Sequence, residues 1–200
     1  MMKQFKPFVF GAAAALALAL TPQADAVEVD DAQVMANTCA GCHGPDGSSR
    51  GPAAPTIAGM SPEIFIDAMK DYREGKRPGT IMPRIAKGYT DEQIKLMAEY
   101  FAKQPFMRFA QPHDAQLAAK GAKLHERYCE KCHEEGGKAS AEAGVLAGQW
   151  LPYLHYQLED YLADKRAYRE KNMQKRLSEL IEKEGQEGLK AVLHFYASQK

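Results

Sequence analysis

The chain has 200 residues, 45% of them hydrophobic, with 26 Lys and Arg against 26 Asp and Glu. That balance gives no basic footprint for nucleic acid and no acidic tail, and the apolar content argues against extended low-complexity disorder. The length suits one ordinary domain or two small ones.

At the N-terminus, Lys3 and Lys6 precede an apolar run from Phe8 to Leu20, and Ala24-Asp25-Ala26 supplies an A-x-A cleavage pattern. Residues 1–26 therefore read as a secretory signal peptide, too short to span a bilayer; a retained N-terminal anchor is the alternative. The mature chain is expected to begin near Val27, outside the cytoplasm. No later segment approaches the apolar length of a transmembrane helix.

Next, Asp30 and Asp31 supply acidic residues at the start of a helix through Ala32, Val34 and Met35, which Gly44 can close. Across its end runs Cys39-Ala40-Gly41-Cys42-His43. Further on, Thr90-Asp91-Glu92-Gln93 is a capping-box sequence. After it Ile94, Met97, Ala98 and Phe101 share one helix face, and Pro105 stops the helix. Residues 103–116, with two prolines, read as a linker, and the domain boundary is placed near 110.

The second half repeats the first. Cys129-Glu130-Lys131-Cys132-His133 lies 90 residues after the first motif. Ile57-Ala58-Gly59 returns as Leu146-Ala147-Gly148, and Asp71-Tyr72 as Asp160-Tyr161, both at an offset of 89. The closing helix face recurs as Leu189, Val192, Leu193 and Tyr196, and strand-like alternation is scarce. The expectation is an all-α protein of two tandem modules, 27–110 and 111–200, made by duplication. Modules of about 85 residues are small for a core built of side chains alone, so an extra apolar body in each is expected.

All four cysteines sit in the two Cys-x-x-Cys-His motifs. Two thiols on one helical turn can reach the two vinyl groups of a porphyrin, and the next histidine then lies beneath the iron; the spacing is that of covalent haem attachment. A redox dithiol wants a βαβ context, a zinc site wants its cysteine pairs together, and a disulfide across two residues closes too small a loop to aid folding. Those readings stay open as alternatives. For the iron's sixth position the residues to weigh are Met82, in the Gly- and Pro-rich loop before the capped helix, and Met173, the only methionine after His133. They follow their histidines by 39 and 40 residues. Met69 and Met97 read as core. His155 and His194 compete with Met173 as nitrogen ligands, and His113 and His125 are expected to face solvent. Trp150, Tyr153, Tyr156 and Tyr161 are expected to pack around the second porphyrin. Residues 164–187 read as a solvated charged helix with a Glu179/Lys183 pair.

The runs "TCAGCHG", "TIMPRIAKGYT", "GAKLHERYCEKCHEEGGK", "LAGQWLPYL" and "FYASQ" resemble the dihaem cytochrome subunit of flavocytochrome c sulfide dehydrogenase. The resemblance covers nearly the whole mature chain. It implies two small cytochrome c domains related by a pseudo-two-fold axis, with two covalently bound haem c groups. It implies Cys39, Cys42, Cys129 and Cys132 as thioether cysteines, His43 and His133 as proximal ligands, and Met82 and Met173 as distal ligands. It also implies a periplasmic FAD-containing flavoprotein partner that oxidises sulfide, and a soluble cytochrome c as acceptor. One departure stands out: "GPAAPTIAG" in the first half has no proline equivalent in "AEAGVLAG", so His133 is expected to be hydrogen-bonded differently from His43.

The leading expectation is thus an electron-transfer subunit with no substrate chemistry of its own. A free dihaem shuttle to a terminal oxidase is the alternative. A dihaem peroxidase would need an openable iron position, which two methionine ligands oppose.

Overall fold

The computed structural model describes residues 31–139 and 144–200. The signal-peptide reading of residues 1–26 lies outside them, as does Asp30. Among the described residues the protein is helical, without strands. No helix there is long and apolar enough to cross a membrane.

The first half contains α1 (Asp31–Asn37), α2 (Ala40–His43), α3 (Pro62–Arg73), α4 (Met82–Ile85) and α5 (Asp91–Ala102). The expected capping box is present: Thr90 accepts from the Gln93 amide, and the Gln93 side chain accepts from the Thr90 amide. α1 and α3 pack on α5, burying Phe65, Met69, Ile94, Met97 and Phe101 in one core. Met69 and Met97 are core residues, as their helical spacing predicts. Residues 103–114 then cross to the second half without a regular element.

The second half contains α6 (Ala115–Tyr128), a tight turn α7 (Glu134–Gly137), α8 (Leu151–Leu162) and α9 (Lys171–Ser198). Asp114 caps α6 through the amides of Gln116 and Leu117. α6 and α8 pack on α9, repeating the arrangement of the first half around Leu124, Leu154, Leu180, Leu193 and Tyr196. At Gly121, α6 lies so close to α9 that an added Cβ would stand 2.0 Å from the Ala191 carbonyl oxygen. α9 is broken at Gly185, which takes φ 67°.

The repeat extends to main-chain hydrogen bonds. The Ile57 and Ala58 amides both donate to the Gly47 carbonyl, and those of Leu146 and Ala147 both donate to Gly137. Gly59 donates to Phe101, and Gly148 to Tyr196. These bonds pin an irregular loop to the last helix of each half. Such exactness of register at an offset near 89 residues comes from one chain path used twice.

Two sequence expectations are corrected. Met82 is not in a loop but opens the short helix α4, because Pro83 fits the first turn. Glu179 pairs with Arg176 at 3.0 Å rather than with Lys183.

The halves meet through buried polar groups. The Gln149 side chain pairs with both main-chain groups of Thr56, accepting from its amide and donating to its carbonyl, each at 2.9 Å. The Gln111 side chain donates to the Gln149 carbonyl and accepts from the Leu151 amide. Trp150 Nε1 donates to the Ser49 carbonyl at 3.0 Å, and its ring lies on Gly51, where φ is 75° and no side chain would fit.

Gly121→Ala is expected to force α6 and α9 apart and to destabilise the protein by about 1–3 kcal/mol, the usual cost of overpacking. Denaturant unfolding followed by far-UV circular dichroism measures it.

Candidate functional site

Each Cys-x-x-Cys-His motif forms a single helical turn. The Cys42 and His43 amides donate to the Cys39 carbonyl, and the Cys132 and His133 amides donate to Cys129. One turn brings both thiols and the imidazole to one side of the chain. All four cysteines are free. Burial pushes the Cys39 and Cys129 thiols above their ordinary pKa, the opposite of the depressed value a redox dithiol requires. Among the described residues no group of three or more His, Cys, Asp or Glu side chains is gathered to hold a metal, so a zinc centre lacks its ligand set.

The imidazoles are held by main-chain carbonyls. His43 Nδ1 lies 2.7 Å from the Pro55 oxygen, and His133 Nδ1 lies 3.2 Å from the Gly144 oxygen. A carbonyl can only accept, so Nδ1 carries the proton and donates, and the Nε2 lone pair is left free for a metal. Burial pushes both imidazoles below the ordinary histidine range, His133 to about 4, so both are neutral at pH 7. The expected difference between the halves is therefore one of length and not of kind. A carbonyl twelve residues on serves His43 and one eleven residues on serves His133.

In the second half a cavity of about 220 Å³ is lined by Cys129, Cys132, His133 and Met173 among apolar side chains. It shares His133 and Met173 with a larger cavity of about 580 Å³ that runs to the contact between the halves. Met173 sits in the first turn of α9, as Met82 sits in the first turn of α4. Met82 and Cys39 are both half-buried against the core of the first half. His155, paired with Glu159, and His194, which accepts from the Asp114 amide, line neither cavity.

These residues fit a c-type haem. In the second half the free thiols, the oriented neutral imidazole and the methionine line one largely apolar crevice. Two buried polar atoms without a protein partner, Tyr128 Oη and Arg77 Nε, belong to residues that line it. Cys132 and His133 border both cavities, so the crevice continues from the motif toward the first half.

The aromatic expectations divide. Tyr153 and Tyr161 line the larger cavity. Trp150 is turned into the first half instead, and Tyr156 is 54% exposed. His125, expected in solvent, is 2% exposed. Its Nδ1 is 2.8 Å from Tyr196 Oη and its Nε2 is 2.6 Å from the Glu130 carboxylate. Glu130 also accepts from the Glu135 and Gly136 amides, holding the left-handed turn just after His133. Sequence reasoning missed this network because His125 precedes the motif by a full turn of α6 and its partner tyrosine is 71 residues away.

Comparison with known proteins places these features in context. The family model described as "Cytochrome C oxidase, cbb3-type, subunit III" matches residues 30–101. The cytochrome subunit of sulfide dehydrogenase from Chlorobaculum tepidum is 45% identical over 42% of this chain and 74% of its own length. Cytochrome c4 from Pseudomonas aeruginosa is 32% identical over 73% of this chain and 77% of its own. The crystal structure of reduced recombinant cytochrome c4 from Pseudomonas stutzeri superposes with a TM-score of 0.70 at 23% identity, covering 84% of this chain and 97% of that one.

Glu130→Ala is expected to leave the buried His125 ring without its carboxylate and to cost about 1–3 kcal/mol, the penalty for an unpaired buried polar group. The midpoint of denaturant unfolding should fall with an unchanged slope.

Proposed function

We propose that this chain, which belongs to the cytochrome c4-like family of dihaem c-type cytochromes, is the electron-transfer subunit of a sulfide–cytochrome c oxidoreductase in the periplasm. The observation that carries the reading is the doubled site: each half sets two free thiols and a carbonyl-oriented imidazole on one helical turn. After removal of residues 1–26, the chain works as two tandem domains, 27–110 and 111–200.

Bound in each half, a haem c supplies a one-electron iron couple. Cys39 and Cys42, and Cys129 and Cys132, tether the rings through thioethers. His43 and His133 would be the first ligands, their Nδ1 atoms fixed by the Pro55 and Gly144 carbonyls and Nε2 left free. Met82 and Met173 would supply the second ligand in each half, and a thioether ligand raises the potential. An electron carrier needs no substrate pocket of its own. A flavoprotein carrying FAD performs the sulfur chemistry, this chain accepts the electrons, and a soluble cytochrome c takes them on. The 45% identity to a sulfide dehydrogenase cytochrome subunit supports that partner.

A second reading, a free dihaem shuttle to a terminal oxidase, draws on the cytochrome c4 similarity, which spans more of the chain. Isolation from the native cell discriminates the two. The first reading expects a co-purifying flavoprotein and reduction of both haems on adding sulfide. The second expects a lone cytochrome that sulfide does not reduce. Intact mass should show two haems on the polypeptide. Met173→Ala should roughly halve the near-infrared methionine–iron charge-transfer band and lower one midpoint potential, because the thioether is what raises it.

A further inference from the structure

Arg77 and Arg166 occupy equivalent places in the two halves. In each, the arginine follows an Asp-Tyr pair, and its amide donates to that aspartate's carbonyl: Arg77 to Asp71, Arg166 to Asp160. Each guanidinium lies over the ring of its own tyrosine, 4.7 Å above Tyr72 and 4.4 Å above Tyr161. The two then converge, for both donate to the single side-chain oxygen of Gln157 on α8. Arg77 also donates to Tyr153 Oη at 3.1 Å.

Arg77 is only 6% exposed, yet its Nε has no partner. Among the described residues neither arginine pairs with a carboxylate, although the nearby Arg169 does, with Asp67 at 2.9 Å. Burial and the neighbouring Arg77 cation push Arg166 below its ordinary pKa. Two like charges brought together out of water are costly unless an anion joins them. Both arginines line the larger cavity, the one that has Cys132, His133 and Met173 at its other side.

We propose that Arg77 and Arg166 form one carboxylate-binding site where the halves meet, and that Arg77, a residue of the first half, holds the carboxylate edge of the haem attached in the second. The inference rests on the haem reading given above. A haem's two propionates lie at the ring edge remote from the vinyl carbons that the thiols attack. A ring tethered at Cys129 and Cys132 would carry that edge away from the motif, and one cavity is lined by both the motif and the guanidiniums. Arginine's planar fork suits paired carboxylate oxygens, and the free Nε of Arg77 leaves a donor for them. The shared Gln157 ties the two cations together across the contact between the halves. Arg77 is a positioning residue, acting through the carboxylate and not on the iron.

The test is a potentiometric titration of the holoprotein at several pH values, with intact mass confirming two haems. A wild-type protein carrying no haem would sink the functional reading before this inference is reached. With both haems attached, Arg77→Met should disfavour reduction of at least one haem by about tenfold, about 59 mV for one electron. Its potential should also gain a pH dependence between about pH 5 and 8, as an unclamped carboxylate begins to titrate. Arg77→Lys, which keeps the charge, should recover most of the potential and lose the added pH dependence. Arg166→Met offers the same readout should Arg77→Met fail to fold. Unchanged potentials and pH profiles in folded, fully haemylated variants overturn the proposal. So does a wild-type potential that shifts on adding inorganic phosphate, because the cations would then be serving a soluble anion.

Discussion

The hydrogen bond from a buried imidazole to a main-chain carbonyl governs how each half is built. An imidazole can serve as a metal ligand only if it stays neutral and leaves Nε2 free. Burial secures the first condition and the carbonyls of Pro55 and Gly144 secure the second. A carbonyl eleven or twelve residues away is placed only if the intervening loop is fixed. That is what the paired amides donating to Gly47 and Gly137 accomplish, together with the Gly59–Phe101 and Gly148–Tyr196 bonds to the closing helices. Loop, helix and ligand orientation are thus one device, made twice.

Around that shared device the halves have diverged. The first half closes with a short helix, a 3-10 turn and a separate α5, whereas the second runs through one long α9 broken only at Gly185. In both, the methionine sits in the first turn of the leading segment, so its position survives a change in the element that carries it. The second motif is further supported from below by His125, Glu130 and Tyr196, which lock the turn after His133. At the corresponding positions the first half has Met35, Ala40 and Phe101, which carry no side-chain polar groups for such a network.

The contact between the halves is polar where a stability argument alone would favour apolar side chains. The Gln149 and Trp150 side chains satisfy main-chain groups across it, those of Thr56 and Ser49. Such pairing is directional, and it fixes the relative orientation of the halves more sharply than apolar packing does. Fixed orientation is what an electron carrier with two centres requires, since transfer between them depends on their separation and on the charge around them.

The sequence by itself determined the all-helical character, the duplication, the capped α5, the two Cys-x-x-Cys-His motifs and the spacing of the methionines. All of these are local patterns or fixed offsets along the chain, and local patterns are written in residue order. It misjudged His125 and Trp150 because burial is not a local property. A histidine on an amphipathic helix reads as solvated until a tyrosine 71 residues away is seen beside it. Only the tertiary structure decided which carbonyl orients each imidazole, that the Trp150 side chain reaches into the first half, and that Arg77 and Arg166 meet at Gln157. Those facts depend on how two like halves are set against each other, and that setting is made by contacts between residues about 80 to more than 100 positions apart, whose meeting no periodicity along the chain encodes.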